Sequence, residues 1–191
     1  MQVMKPRVSY ADLERTPEDG RRYELYDGEV FVVPSPLPRH QIVAYNLGQV
    51  LGAYANARGG LLLVSPIDIV FSQYDVVQPD LVFFQASRRH LVQLDAAIRH
   101  APDLAVEVLS PSTAATDRGK KMQMLARYGV PEYWIVDPIR ETIEIYTPAG
   151  EAPRSRAYSL AQTADTSHPL RSPLLSGLRF RAASIFPAQP L

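Results

Sequence analysis

The sequence contains no cysteine. This absence excludes disulfide bonds, thiolate metal sites and a cysteine nucleophile, and it fits a protein of a reducing compartment. Histidine is also sparse, and the four histidines have no ligand-like spacing. A zinc site is therefore not expected.

The chain also lacks net charge and long apolar runs. Twenty basic and twenty acidic residues cancel, so net charge encodes no strong nonspecific attraction to nucleic acid, although a local basic patch stays open. No apolar stretch approaches the roughly 18 residues of a membrane-spanning helix. We therefore expect a cytoplasmic protein that is not inserted in a membrane.

Length and composition favour one globular domain. The chain has 191 residues, with 46% hydrophobic and 21% charged residues, which is ordinary for a folded domain with its own core. We expect a single domain over residues 1–191, with a core at about 21–147 and a C-terminal extension over 148–191.

A carboxylate interrupts an apolar run in the centre of the chain. Residues 104–109, LAVEVL, predict a buried strand that contains Glu107. An isolated buried anion costs several kcal/mol or more, so this carboxylate must be paired, protonated or bound to a metal ion.

The following residues predict a helix and a second buried strand. The helix runs from about Asp117 to Gly129, and the strand covers residues 133–136. Asp117 and Lys121 are four residues apart and lie on one helical face. Strand, helix and strand form a βαβ-like unit, which implies a sheet with a helix packed on it.

The remaining elements are predicted from periodicity and turn residues. Residues 147–168 are expected to form a loop. The other expected elements are a helix over 9–19 capped by Ser9, a hairpin over 21–33, a helix over 39–58, strands over 61–71, 76–84 and 141–146, a final strand over 174–180 and a short helix over 182–186.

Asp80, Glu107 and Lys121 lie on a strand, a strand and a helix in that order. If the two strands are neighbours, both carboxylates can hold one hard divalent cation, with the ammonium beside it. That arrangement suits phosphodiester hydrolysis. Two alternatives stay open: a turn or cap role for Asp80, and a structural salt bridge between Glu107 and Lys121.

Two further residues are ambiguous from local sequence. Glu24 is either a solvent-facing residue of an edge strand or an accessory acid that points at the site. His40, in the first turn of its helix, is more often a surface or capping group, although it could contact a phosphate.

Several motifs together resemble one family. They are Pro79-Asp80, Glu107 to Thr113, Asp117 to Lys121, Gly129 to Pro138, Tyr23 to Leu25, Asp27 to Glu29, Pro34 to His40 and Ser172 to Leu175. Their combination over nearly the whole chain is similar to the Uma2 (Uma-two) family of restriction endonucleases, within the PD-(D/E)xK nuclease superfamily.

The resemblance implies a fold and an activity. The expected fold is α/β (α+β mixed), a central mixed β-sheet flanked by helices, and the expected activity is cleavage of nucleic acid, most simply DNA, with Mg²⁺ or Mn²⁺. Asp80 is then the acid of the PD element, Glu107 the second acid and Glu24 an accessory acid. Leu109 stands where the usual lysine would be, so the resemblance assigns that lysine to the following helix, as Lys121.

The partners are also expectations at this point. His40, Arg39 and Lys120 are candidates for contacting nucleic acid, and apolar strand edges with a tyrosine-containing helix over 39–58 suggest a homodimer. The alternative function is a nucleic-acid-binding or regulatory protein on a nuclease scaffold, without turnover. A third hypothesis is a purely structural salt bridge in a protein of unrelated function.

Overall fold

The computed structural model describes residues 6–17, 19–150 and 156–187. The α-helical elements are α1 (Tyr10–Glu14), α2 (Pro38–Arg58), α3 (Ala114–Thr116) and α4 (Met122–Arg127); a π-helical turn, Asp117–Lys121, joins the last two. Short 3₁₀ helices cover Arg89–Leu91 and Ala182–Ser184. The strands are β1 (Arg22–Tyr26), β2 (Glu29–Val33), β3 (Leu61–Val64), β4 (Ile69–Ser72), β5 (Asp75–Val77), β6 (Leu81–Phe84), β7 (Leu104–Val108), β8 (Glu132–Asp137), β9 (Thr142–Pro148) and β10 (Tyr158–Ala164).

The strands form two sheets. The larger has the order β10-β9-β8-β7-β6-β3, and the smaller has the order β2-β1-β5-β4. In the larger sheet β7 and β8 are parallel, whereas the other neighbours are antiparallel. The predicted mixed sheet flanked by helices is therefore confirmed, and β7, the helical segment 114–127 and β8 form the expected strand–helix–strand unit.

Different elements pack on the two faces of the larger sheet. Val106 and Val108 of β7 pack in one cluster with α2 and with the C-terminal segment around Leu175. Ala105, one residue along, belongs to the opposite cluster with Leu125 of α4, as expected where successive side chains of a strand alternate between faces. This second face, which the smaller sheet also covers, is the one that carries Glu107.

The long helix α2 follows the predicted period. Val43, Leu47, Leu51 and Ala55 are buried, and each of the two leucines stabilises the fold by about 1.5–3 kcal/mol through burial. Gly59 ends the helix with a left-handed φ of 70°, a conformation that glycine adopts without steric cost. The first turn of α2 lies beside the start of β6, where His40 contacts Asp80.

Two segments that were each predicted as one long strand form two shorter strands. Residues 61–71 form β3 in the larger sheet and β4 in the smaller one, and residues 76–84 form β5 and β6 in the same way. Pro66 and Pro79 lie at the two breaks and have no backbone N–H to donate to a ladder. Each of these two segments therefore crosses between the sheets once, and the crossing in the second segment ends at Asp80.

Secondary structure near both ends of the chain differs from the prediction. The predicted loop over 147–168 contains β10, which pairs with β9 despite a register irregularity between Leu160 and Gln162. Residues 174–180 form no strand: Gly177 has φ 80°, and the segment folds across the sheet as turns. The first helix is shorter than 9–19, with the predicted Ser9 capping box intact. Residues 151–155 of the predicted loop lie outside the described residues.

Candidate active site

Asp80 and Glu107 face each other across two neighbouring strands. Leu81 pairs with Val106 and Val82 with Ala105, so extending the register by one residue places Asp80 opposite Glu107. Directly opposed residues have Cβ atoms about 4.5–5.5 Å apart and share a face of the sheet. The two carboxylates therefore converge.

The Asp80 carboxylate is fixed from two sides. Its Oδ2 accepts a hydrogen bond from the Val108 N–H at 2.8 Å and lies 3.0 Å from His40 Nε2. His40 is itself buried, and its Nδ1 has no partner in the described part of the chain. The expectation of a surface position for His40 is wrong, because α2 begins against the start of β6.

Glu24 reaches the same site from the smaller sheet. It lies on β1, between β2 and β5, and is only 1% exposed. Its Oε1 accepts from the Gln78 N–H at 2.8 Å, and its Oε2 accepts from the Tyr26 hydroxyl at 2.6 Å. The solvent-facing interpretation of Glu24 is wrong, and its side chain points towards Lys121.

Lys121 links the acids. Its Nζ lies 2.8 Å from Glu107 Oε1, 2.9 Å from Glu24 Oε1 and 3.5 Å from Asp117 Oδ1. The π-helical turn buries Asp117 and Lys121 together, and such turns are frequent at functional sites. Lys120 points elsewhere: it is exposed and pairs with Glu29 at 2.6 Å.

The cluster contains more carboxyl groups than amino groups. Four buried carboxylates, those of Glu24, Asp80, Glu107 and Asp117, face the one ammonium of Lys121. Arg22 lines the same small cavity, but its guanidinium donates to Ser65 Oγ and to the Pro34 carbonyl. When these carboxylates are ionised, their excess over the ammonium favours an additional cation.

The pKa shifts follow from this crowding. Burial raises the pKa of Glu107 well above its usual value, and the carboxylates of Asp117, Asp80 and Glu24 raise it further against the effect of Lys121. Burial also raises the pKa of Asp117. Burial acts to lower the pKa of Lys121, but the facing carboxylates of Glu107 and Glu24 raise it above its usual value. Lys121 is therefore protonated at neutral pH.

The donor set suits a hard divalent ion. Carboxylate oxygens are the ligands of Mg²⁺ in proteins, and Mg²⁺ uses one or two carboxylates while it keeps several waters. Within the described residues no group of three or more His, Asp or Glu side chains is placed to hold a metal ion, so protein ligands at this site would be limited to the opposed pair Asp80 and Glu107. Asp117 Oδ2 is buried and has no hydrogen-bond partner there, so this oxygen can take a proton or face a cation.

Not every predicted residue joins the site. The structure brings Asp80, Glu107, Lys121, Glu24 and His40 together, and leaves Arg39 and Lys120 outside the small cavity that these five line. Asp117 is a site residue that the sequence interpretation placed beside Lys121 without a role. The sequence signal that could have identified Asp117 as a site residue was its position four residues before Lys121, on the same helical face.

Comparisons with known proteins agree with this architecture. The model of the family named Uma2, described as "Putative restriction endonuclease", matches residues 9–183. A crystal structure from Anabaena variabilis, titled as that of "a putative nuclease belonging to DUF820", superposes with a TM-score of 0.75 at 20% sequence identity and covers 94% of this chain and 97% of its own. At this identity the likeness concerns the fold. No curated protein matches the sequence.

Proposed function

The chain belongs to the Uma2 family, and we propose that it is a metal-dependent endonuclease that hydrolyses phosphodiester bonds of DNA. The observation that carries the proposal is the convergence of Asp80 and Glu107 on one face of the sheet beside the buried Lys121. A purely structural ion pair needs one carboxylate for one ammonium, whereas this cluster has four carboxylates.

Asp80 and Glu107 would hold the Mg²⁺ or Mn²⁺ ion. When bound, such an ion polarises a phosphoryl oxygen and makes hydroxide accessible from water near neutral pH. His40 and the Val108 N–H hold the Asp80 carboxylate in one orientation. This fixed orientation matters because outer partners of a metal ligand tune its affinity.

Lys121 supplies the positive charge of the protein itself. Its ammonium is desolvated and aimed by Glu24 and Glu107, so it can stabilise the negative charge that develops on the phosphoryl oxygens as water attacks phosphorus. In this role Lys121 would take the place of the PD-(D/E)xK lysine that is absent at Leu109. Glu24 would position Lys121 and add negative charge beside the metal.

Two basic side chains outside the carboxylate cluster are proposed to contact phosphates of the substrate. They are Arg39, which is half-buried in the same helical turn as His40, and the exposed Lys120. Each phosphate contact of this kind adds salt-dependent affinity. Because Lys120 is paired with Glu29, its contact requires exchange of one partner for another.

Plasmid cleavage tests the proposal. Wild-type protein is incubated with supercoiled plasmid and Mg²⁺, beside Glu107→Gln and the control Glu132→Gln, which changes an equally buried glutamate on the adjacent strand β8. We expect nicked and linear products with the wild type and the control, and none with Glu107→Gln. Equal cleavage by all three proteins would exclude the assigned site.

The second candidate is a nucleic-acid-binding protein without turnover. It is favoured by the direct contact of Lys121 with Glu107, which satisfies both groups without a metal. Calorimetric titration with Mg²⁺ and Mn²⁺ separates the two functions. The absence of binding at millimolar concentrations, together with retained binding of nucleic acid, supports this second candidate.

A homodimer also remains a proposal. Val30 and Val32 are exposed on β2, an edge strand of the smaller sheet, and such an edge can pair with another chain. Light scattering coupled to size-exclusion chromatography measures the mass directly.

A further inference from the structure

A second cavity opens beside the carboxylate cluster. Its volume is about 540 Å³, and it lies between the first half of α2, the end of β3 and the start of β6. Arg22, His40 and Asp80 belong to its wall and also to the small cavity around Lys121. A molecule that fills the larger cavity therefore reaches the proposed catalytic carboxylates.

The size and surface of this cavity suit one planar heterocycle with its sugar. Sites that enclose small organic ligands measure about 300–1,000 Å³ and combine apolar walls with a few polar groups. Here Ala44, Val64 and Leu81 form apolar wall. Tyr45 also lines the cavity and is 66% exposed, which leaves its ring available for stacking on a base.

The polar groups of the wall match the edge of a base. The exposed amides of Gln41 and Gln49 each offer donors and an acceptor, and amides of this kind pair with base edges. His40 is a further candidate: with Nε2 on Asp80, its buried Nδ1 lacks a partner within the described residues. A donor on the base or sugar would satisfy that nitrogen.

The charge of the wall argues against a groove for the phosphate backbone. The cavity has one arginine, Arg22, and one aspartate, Asp80, and the whole chain is neutral. Tight binding of a duplex backbone relies on several cations along its track. A base inside a duplex is stacked and paired, so it can enter a cavity only when it is unpaired or extruded.

We infer that this cavity binds one unpaired nucleobase of the substrate, and that the protein accordingly acts on single strands or on duplexes with an extrudable base. The inference rests on the proposed nuclease function. It adds the class of substrate: the base in the cavity sets the position of the adjacent phosphodiester at Asp80 and Glu107.

The test uses two matched substitutions on one helix. Gln49→Trp places an indole in the cavity, and Asn56→Trp places the same side chain two turns further along the same helical face, away from the cavity. Both positions are exposed, so both variants should fold, which circular dichroism checks. Binding is measured by fluorescence of oligonucleotides that contain 2-aminopurine, with Ca²⁺ present, and cleavage is measured with Mg²⁺.

We expect wild type and Asn56→Trp to bind and cleave a single strand, or a duplex with a mismatch, at least about tenfold better than a perfect duplex, the size of effect of one stacked base. Gln49→Trp should lose about tenfold in both measurements and lose the fluorescence change. A preference for the single strand over the mismatched duplex would identify a strand-binding site, and equal use of both would identify extrusion.

Other results separate the two proposals. If Gln49→Trp binds and cleaves as Asn56→Trp does, the base site is overturned while nuclease function stands. If the wild type binds a single strand in a Gln49-dependent way but cleaves nothing, nuclease function fails and the base site stands. Absence of any binding overturns the base site. A change of oligomeric state in Gln49→Trp with unchanged binding assigns the cavity to a second copy of the chain and also overturns it.

Discussion

Lys121 Nζ lies 2.8 Å from Glu107 Oε1, on a helical turn that follows the strand of that glutamate. The same ammonium reaches Glu24 at 2.9 Å, so it joins the two sheets as well as strand and helix. Removal of Lys121 would therefore affect both stability and the proposed chemistry, and these effects can be measured separately.

Lys121→Met should unfold more easily and lose cleavage. Loss of one partner leaves buried carboxylates uncompensated, at a cost of about 3–5 kcal/mol, and loss of a preorganised charge costs about 100–1,000-fold in rate. Urea unfolding and single-turnover cleavage measure the two effects. Lys120→Met is the control, because Lys120 is exposed, and it should change stability little.

Mg²⁺ should offset part of the stability loss in Lys121→Met. A divalent ion that binds only the folded state stabilises it by mass action, and the variant has more uncompensated negative charge than the wild type. Thermal unfolding with and without millimolar Mg²⁺ should show a larger rise in Tm for the variant. The absence of a rise in Tm in both proteins would contradict a metal site at these carboxylates.

Glu107→Gln should weaken Mg²⁺ binding while the fold persists. The amide keeps an oxygen that can accept from Lys121 but lacks the negative charge, so we expect at least about a tenfold loss of affinity, the smallest effect seen even for outer partners of a metal ligand. Calorimetry measures the affinity. Glu132→Gln should leave it unchanged, and parallel losses in the two variants would assign the effect to general destabilisation.

The proximity of Glu107 and Lys121 was predictable because both residues belong to one local unit of the chain. A carboxylate inside LAVEVL and a helix directly after it place Glu107 and Lys121 within one strand–helix–strand unit. The parallel pairing of β7 and β8 follows from that unit. Asp80 was predictable as a carboxylate that enters the apolar run Leu-Val-Phe-Phe.

The placements that local sequence left ambiguous depend on distant contacts. Glu24 is buried because its side chain faces Lys121 and the Gln78 N–H, which lie 97 and 54 residues further along the chain. His40 reaches Asp80 only through the packing of α2. No local periodicity encodes either placement, and the π-helical turn at 117–121 likewise departs from the 3.6-residue pattern used to predict it.

His40→Ala should reduce cleavage by about 10–100-fold, because the Asp80 carboxylate loses one of its two orienting partners. His40→Gln should retain more activity, since its amide N–H can still donate to Asp80. Cleavage rates and Mg²⁺ affinities of both variants show whether His40 acts by orienting the Asp80 carboxylate or only by packing. His168→Ala is the control, because His168 is exposed and contacts Asp165; a loss of similar size there would contradict a specific role for His40.

Glu132 should make the free energy of unfolding depend on pH. It is buried, and its carboxylate accepts from Trp134 Nε1, Ser172 Oγ and the Leu174 N–H, but burial outweighs these bonds and raises its pKa above 4.5. A raised pKa in the folded state means that the folded protein holds this proton more tightly than the unfolded chain. The stability gained is complete below the unfolded pKa and is lost as the pH rises through the folded pKa.

The comparison with a glutamine variant isolates this effect. The difference in unfolding free energy between wild type and Glu132→Gln should shrink as the pH rises from about 4.5 towards neutrality, measured by urea titration at several pH values. Glu144→Gln is a control in which the opposite pH dependence is expected. Burial acts to raise the pKa of Glu144, but hydrogen bonds from Arg118 and Tyr146 lower it below its usual value. The stabilisation by Glu144 is therefore lost as the pH falls. If the differences in unfolding free energy for the two glutamine variants changed with pH in the same direction, the assigned pKa shifts would be wrong.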